Sequence, residues 1–300
     1  MSRRSDRVKV VTYIVTAFDL SAKPERIVAV AAEIARDVLQ LDEEPAAEWA
    51  ADEVAAIESE LQAALAVIRA NGGHPRFEFN ESSPDHLQGS SFVAPAERGT
   101  PMEGAKLRRL DRDQYAAFLA NLTWREFEAS CRGILRLLGS TAPVLTKESG
   151  DQGIDFYGEI SLEGRLENAS ELPGIDSRLS VWMVGQAKHY PRGKVSTPEL
   201  RELVGSVQLA RSGASADGGV ALAGFRPRVC DPIVYLFFTT GQISRDGRRL
   251  LEESGVVGMD GEQLAIFLSD NKVGAPNGTF DSSAASAWIA ECLAVADAAA

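Results

Sequence analysis

Ile233-Val234-Tyr235-Leu236-Phe237-Phe238-Thr239 is an unbroken run of apolar and β-prone residues. A strand without polar alternation has no solvent face, so it belongs inside a sheet covered on both sides. Val181-Trp182-Met183-Val184 begins a second run of this kind, which ends in the polar Gln186-Ala187-Lys188. Between the two, Leu200 to Arg211 follows Thr197-Pro198 and spaces Leu203, Val207 and Ala210 as one helix face. Strand, helix, strand requires a crossover that covers one face of the sheet. Phe156-Tyr157-Gly158-Glu159-Ile160 supplies a further strand. Arg245 to Gly255, Gly261 to Leu268 and the alanine-rich Ser283 to Ala299 supply helices. The order predicts an α/β core, a mixed β-sheet flanked by helices.

The polar end of the second strand is where chemistry concentrates. Gln186 and Lys188 are one strand period apart, so both side chains leave the same face while Ala187 points the other way. Asp155 follows a glycine turn, Gly150-Asp151-Gln152-Gly153, and leads into the Phe156 strand. Two neighbouring strands would bring Asp155 close to Lys188. A carboxylate, an amide and an ammonium gathered in this way suit metal-assisted phosphodiester cleavage, in which carboxylates and a strand carbonyl hold a hard divalent cation. Asp155 is the main candidate ligand, Gln186 offers a neutral carbonyl oxygen, and the backbone carbonyl of Ala187 can complete the set. Lys188 supplies positive charge beside developing negative charge, or a base. Upstream, Trp124 to Leu138 has helical periodicity, with Phe127, Cys131, Ile134, Leu135 and Leu138 on one stripe. Glu128 sits beside that stripe within reach of the site, and Glu126 is a competing acid on another face. Asp151 reads as turn chemistry.

The ordered set Phe127-Glu128, Leu137-Leu138-Gly139, Gly150 to Asp155, Gln186-Ala187-Lys188-His189-Tyr190, Val204-Gly205, Phe238-Thr239-Thr240-Gly241 and Met259 to Leu264 resembles the Mrr-type restriction endonuclease catalytic domain, a branch of the PD-(D/E)xK nuclease superfamily. The resemblance covers roughly residues 120 to 275. It implies a restriction-endonuclease-like fold, with Asp155, Gln186 and Lys188 on the catalytic positions and Glu128 on the helix-borne acidic position. It also implies Mg2+ or Mn2+ as cofactor, DNA as substrate, and a place in prokaryotic restriction or anti-phage defence. The chain departs from the pattern at Gln152, where a small residue is common. It also carries insertions around Gly164 to Ser180 and Ser212 to Asp231.

Net charge of −12 excludes a generic DNA-coating protein, because affinity for nucleic acid rests on neutralising phosphates with basic residues. A local basic surface remains compatible with it. His189, Arg192 and Lys194 follow the active strand, and Arg245 follows the Thr239-Thr240 strand end. These are the candidate DNA-phosphate contacts, set against a reading as solvated charges balanced by Glu199, Glu202, Glu252 and Glu253. His189 reads as a groove neighbour before it reads as a base.

In the first third, Val8 to Phe18 reads as a strand, Pro24 to Leu41 as a helix, and Glu48 to Ala70 as an amphipathic helix with Val54, Ile57, Leu61, Leu65 and Ile68 at helical spacing. The polar stretch Glu81 to Gly104 reads as a long loop or linker. The expected organisation is therefore a smaller N-terminal α/β or mostly helical recognition domain over 1–105, a nuclease domain over 106–280 and a C-terminal helix over 281–300. The long second helix packs within its own domain or against a partner, either a second copy or a defence-system protein. No run reaches membrane length and no signal core follows the start, which points to the cytoplasm. Cys131, Cys230 and Cys292 are far apart in apolar contexts and read as reduced core thiols. Two rivals to an enzyme remain, a binding module that keeps the fold without cleavage and an assembly subunit silent until it meets its partner. The absence of a Gly-x-x-x-x-Gly-Lys-Ser/Thr phosphate loop disfavours a nucleotide-driven translocase.

Overall fold

In the computed structural model, residues 3–146, 153–165, 176–212, 222 and 224–297 are described. The chain divides into two units, 1–111 and 112–300. The first contains α1 (Arg3–Ala17), β1 (Glu25–Arg26), α2 (Ile27–Leu39), α3 (Glu43–Ala70), β2 (Phe77–Asn80), β3 (Ser83–Gly89) and α4 (Pro101–Arg109). The strands form a small antiparallel sheet in the order β1-β3-β2. Ile57, Leu61 and Leu65 of α3 are buried with Val30 and Ile34 of α2, so α3 packs inside its own unit.

Two sequence expectations fail in this unit. Val8 to Phe18 is not a strand, since Val8 to Ala17 is the greater part of helix α1. Its β-branched residues misled, because helix propensity differs among ordinary residues by only about 0.7 kcal/mol each and tertiary contacts override it. Val10 and Ile14, one helical repeat apart, are buried, while Val8 is half exposed. Arg7 of α1 pairs with Glu53 and Glu60 of α3, two helical turns apart on one face. Residues 81–104 are likewise not a plain linker, since they contain β3, the middle strand of the sheet. Its side chains are mostly polar, but the backbone pairs on both edges and Leu87 anchors it in the core.

The second unit contains α5 (Arg112–Asn121), α6 (Trp124–Leu137), β4 (Val144–Leu145), β5 (Phe156–Ser161), β6 (Ser180–Lys188), β7 (Lys194–Val195), α7 (Thr197–Arg211), β8 (Ile233–Thr239), β9 (Gln242–Ile243), α8 (Arg245–Ser254), β10 (Val257–Met259), α9 (Gly261–Asp270) and α10 (Ser282–Asp297). The main sheet has the order β10-β8-β6-β5-β4. β6, β8 and β10 are parallel, whereas β4, β5 and β6 are antiparallel. This is the mixed sheet expected from the sequence, with β8 in its interior.

Side chains alternate between two cores, one on each side of the sheet. Phe156, Met183, Leu236 and Phe238 pack with α5, α6, α9 and α10. Tyr157, Trp182, Val184 and Phe237 pack with α7 and α8. Along β6 the even-numbered residues therefore face α7, and Gln186 and Lys188 continue that face. Leu138, read as part of the α6 stripe, is partly exposed because it follows the last helical residue. Cys131 and Cys292 are buried core thiols as expected, but Cys230 is exposed in the approach to β8. Among the described residues, no helix is long and apolar enough to cross a membrane.

Candidate active site

Asp155 immediately precedes β5, and its carboxylate is held by the neighbouring strand: the Ala187 N–H donates to Oδ2 at 2.6 Å. The register that pairs Phe156 with Gly185 sets Asp155 opposite Gln186. Gly185 is required beneath Phe156, since a Cβ there would run into the ring. The Asp155 backbone is fixed as well. Its N–H donates to the Gly185 carbonyl at 2.9 Å, and its carbonyl accepts from the Thr146 N–H at 2.9 Å. The Thr146 hydroxyl adds bonds to the Ile154 and Asp155 carbonyls at 2.8 and 3.0 Å.

Gln186 is almost wholly buried, and among the described residues its Oε1 accepts no hydrogen bond. An unsatisfied buried carbonyl oxygen is costly, about 1–3 kcal/mol, and calls for a donor or a cation. Its Nε2 lies beside Gly153, where an added Cβ would come within 3.3 Å of that nitrogen and 3.0 Å of Ser206 Oγ. Gly153 has φ +79°. Both crowding and dihedral thus favour glycine at the turn. Gly150, Asp151 and Gln152 lie outside the described residues.

Lys188 closes β6 on the same face as Gln186, with Nζ 3.8 Å from Glu202 Oε2 of α7. Glu128 approaches from α6 on the other side of the sheet, and Arg125 Nη1 donates to its Oε2 at 2.9 Å. Glu128 and Asp155 both act on the Cys131 thiol, whose pKa is pushed well up, chiefly by burial and further by these two carboxylates. The Arg125 guanidinium links the helix acid to the strand-entry segment, since its Nη1 also donates to the Thr146 carbonyl at 3.0 Å. Glu126, the competing acid, instead caps α6, with its Oε2 accepting from the Thr123 N–H and hydroxyl, each at 2.8 Å.

The remaining candidates are placed differently. His189 turns away from the face of Lys188: its ring packs on Phe127 at 5.6 Å, and Nδ1 lies 3.1 Å from Thr240 Oγ1. Burial lowers its pKa. Arg192 and Lys194 are exposed beyond the end of β6. Lys194 lies in β7, which pairs with β9, and the Ser244 N–H bonds the Val195 carbonyl. Exposed Arg245, at the start of α8, thus belongs to the same corner. Arg125, Thr146 and Ser206 were not signalled by the sequence, and Glu202 entered only as a balancing charge. The i,i+3 spacing of Arg125 and Glu128, and of Glu199 and Glu202 on the helix after the active strand, was the available signal.

Asp155, Glu128, the Gln186 amide oxygen and the Ala187 carbonyl are oxygen donors suited to a hard divalent cation, and the unsatisfied Gln186 Oε1 fits such an ion. Among the described residues, no cluster of three or more His, Cys, Asp or Glu side chains could hold a metal. A metal site here would need an amide and a backbone carbonyl beside the two carboxylates.

Residues 119–222 match the family model Mrr_cat, described as restriction endonuclease. Two solved structures are similar over about two thirds of the chain. The structure described as "MspJI Restriction Endonuclease in Complex with 27-mer Oligonucleotide" shares 19% identity at a TM-score of 0.41, over 68% of this chain and 40% of that one. "DNA modification-dependent restriction endonuclease AspBHI" shares 19% identity at a TM-score of 0.36, over 67% of this chain and 43% of that one. The chain thus spans less than half the length of either. None of the curated proteins compared with it matches.

Proposed function

We propose that the restriction endonuclease domain matched at residues 119–222 hydrolyses DNA phosphodiester bonds with a divalent cation, Mg2+ or Mn2+, in prokaryotic restriction or anti-phage defence. One observation carries the reading: the buried, unsatisfied Gln186 Oε1 lies opposite Asp155 and on the face of Lys188, at one end of the sheet. A bound cation would satisfy such an acceptor.

In this reading Asp155, Glu128, Gln186 Oε1 and the Ala187 carbonyl hold the cation. When bound, it polarises the scissile phosphoryl group and lowers the pKa of a water. The Ala187 N–H keeps Asp155 in one orientation through Oδ2. Lys188 places a compact ammonium beside the phosphoryl oxygens, where it stabilises the charge that develops as the P–O bond breaks. To do so it must leave Glu202, a contact at 3.8 Å between partly exposed groups that is weak enough to exchange. Arg192, Lys194 and Arg245 contact the DNA backbone beyond the end of the sheet. The unit at 1–111 serves as a recognition or interaction domain, for a signal, a second copy or a defence-system protein.

The test is cleavage of supercoiled plasmid and linear phage DNA with Mg2+ or Mn2+, against a chelator control. Asp155→Ala and Lys188→Ala are each expected to abolish product while leaving DNA binding intact. Cleavage that persists in both variants would overturn the residue assignment. Metal-independent silence of every sample, with DNA still bound, would favour a subunit that waits for a partner.

A further inference from the structure

Arg125 has no part in the reaction just described, yet it is tied into the site more firmly than an ordinary helix arginine. Its Nη1 donates to Glu128 Oε2 at 2.9 Å and to the backbone carbonyl of Thr146 at 3.0 Å. A solvated i,i+3 pair contributes little. Here the side chains of Arg125 and Glu128 are only 27% and 13% exposed, and the second acceptor belongs to a different element. Thr146 is buried, and its N–H and hydroxyl bond the carbonyls of Ile154 and Asp155 at 2.8 to 3.0 Å. A continuous path thus runs from the Glu128 carboxylate through the Arg125 guanidinium and the Thr146 peptide to the Asp155 backbone. Each link is a hydrogen bond of 3.0 Å or less.

We infer that Arg125 is a positioning residue, which fixes the α6 carboxylate against the Asp155 strand so that the two acids are arranged for a divalent cation before it arrives. The inference rests on the metal-site reading above. A free glutamate has three rotatable bonds, and a guanidinium anchored on a second acceptor removes much of that freedom. The same guanidinium also carries a positive charge that repels a cation. These two effects have opposite signs in a variant. If orientation dominates, removing Arg125 weakens metal binding; if charge dominates, removing it tightens binding.

The experiment is direct Mn2+ binding to the full chain, by calorimetry and by the electron paramagnetic resonance signal of free Mn2+, for the unaltered protein, R125M, R125K and D155A. Cleavage is followed against Mg2+ concentration in parallel. R125M is expected to bind Mn2+ about tenfold more weakly, the scale on which partners of metal ligands act. R125K, which keeps the charge but not the planar fork, should fall between R125M and the unaltered protein. The Mg2+ midpoint should move with these affinities, while the rate at saturating Mg2+ and metal-free DNA binding stay close to those of the unaltered protein. Equal or tighter Mn2+ binding by R125M would overturn the inference, as would a lower saturated rate at an unmoved midpoint. Should R125M lose its melting transition, R125K carries the same test at unchanged charge. D155A separates the two levels. Loss of Mn2+ in D155A with no effect in R125M or R125K sinks only the role of Arg125, whereas unaltered Mn2+ binding by D155A sinks the metal site and the inference together.

Discussion

Asp155, Gln186 and Lys188 are legible in the sequence because a strand fixes where its side chains go. A spacing of two sets one face, and a glycine turn before an aspartate marks the entry to the next strand. Thr146 is not legible in this way, since its contribution is a pair of bonds to backbone carbonyls that any sequence would supply. Thr146→Val keeps the shape and removes the hydroxyl. It is expected to destabilise the protein by about 1–3 kcal/mol through the lost hydroxyl bonds, chiefly the one to the Ile154 carbonyl, since the backbone N–H still serves Asp155, and to lower cleavage more than Val144→Ala does; urea unfolding and plasmid cleavage check the two effects. His189 offers a test in pH. Burial holds its pKa below the ordinary value of 6.5, so the unfolded chain binds the proton more readily than the native one. Stability therefore rises with pH across the window between the lowered value and 6.5. On acidification from about pH 7.5 to 5.5, the unaltered protein should lose more stability than His189→Gln; an equal loss in both would assign the acid sensitivity to other groups. The thiols give a third check. Burial pushes the Cys292 thiol up to about 11 and the Cys131 thiol well above its usual value, whereas Cys230 is exposed. Iodoacetamide should modify Cys230 alone in the native protein and all three cysteines in denaturant, as read by mass spectrometry.

At the scale of elements, what could be read from the sequence depended on how strongly burial stamped the pattern. β8 was recognised because its interior position in the sheet requires apolar residues on both faces. α7, α8 and α9 carried Pro, Ser or Asp at their starts, the residues that such helix ends favour. α1 and β3 escaped because their signals are partner-dependent. α1 is helical through Val10, Ile14 and the Arg7 pairs to α3, and β3 is a strand through backbone pairing around Leu87. Gly133 shows the same limit at a helix crossing. In sequence it is a weak point in the middle of α6, yet a Cβ there would lie 2.7 Å from Cys292 Sγ and against the Trp288 ring of α10. It lets α10 lie close over α6. Gly133→Ala improves intrinsic helix propensity by about 1 kcal/mol, but should still destabilise the protein by roughly 1–3 kcal/mol because the crossing is overpacked. Thermal melting decides between them, and increased alkylation of Cys292 in the native variant would show that the displaced element is α10.

For the whole molecule the governing tension is between a net charge of −12 and the polyanionic substrate proposed for it. Long-range repulsion opposes association at low ionic strength, so binding must come from a local surface of the opposite sign. Arg192, Lys194 and Arg245 are exposed residues of the segments around β7, β9 and the start of α8, which follow the strand ends carrying Lys188 and Thr239. Each phosphate they neutralise would release condensed counterions and steepen the dependence of affinity on salt by about 0.9 in log–log slope. Arg192→Ala, Lys194→Ala and Arg245→Ala are each expected to weaken binding to all DNA sequences alike and to flatten that slope by about one unit, measured by fluorescence anisotropy across a salt series in Ca2+ to hold cleavage off. Arg249→Ala is the control, because Arg249 pairs with Glu253 at 2.8 Å along α8 and its loss should leave the slope unchanged. If the slope survives all three substitutions, the backbone runs over another surface. A slope that drops for Arg192 and Lys194 but not for Arg245 would confine the DNA to the β7 side of the corner.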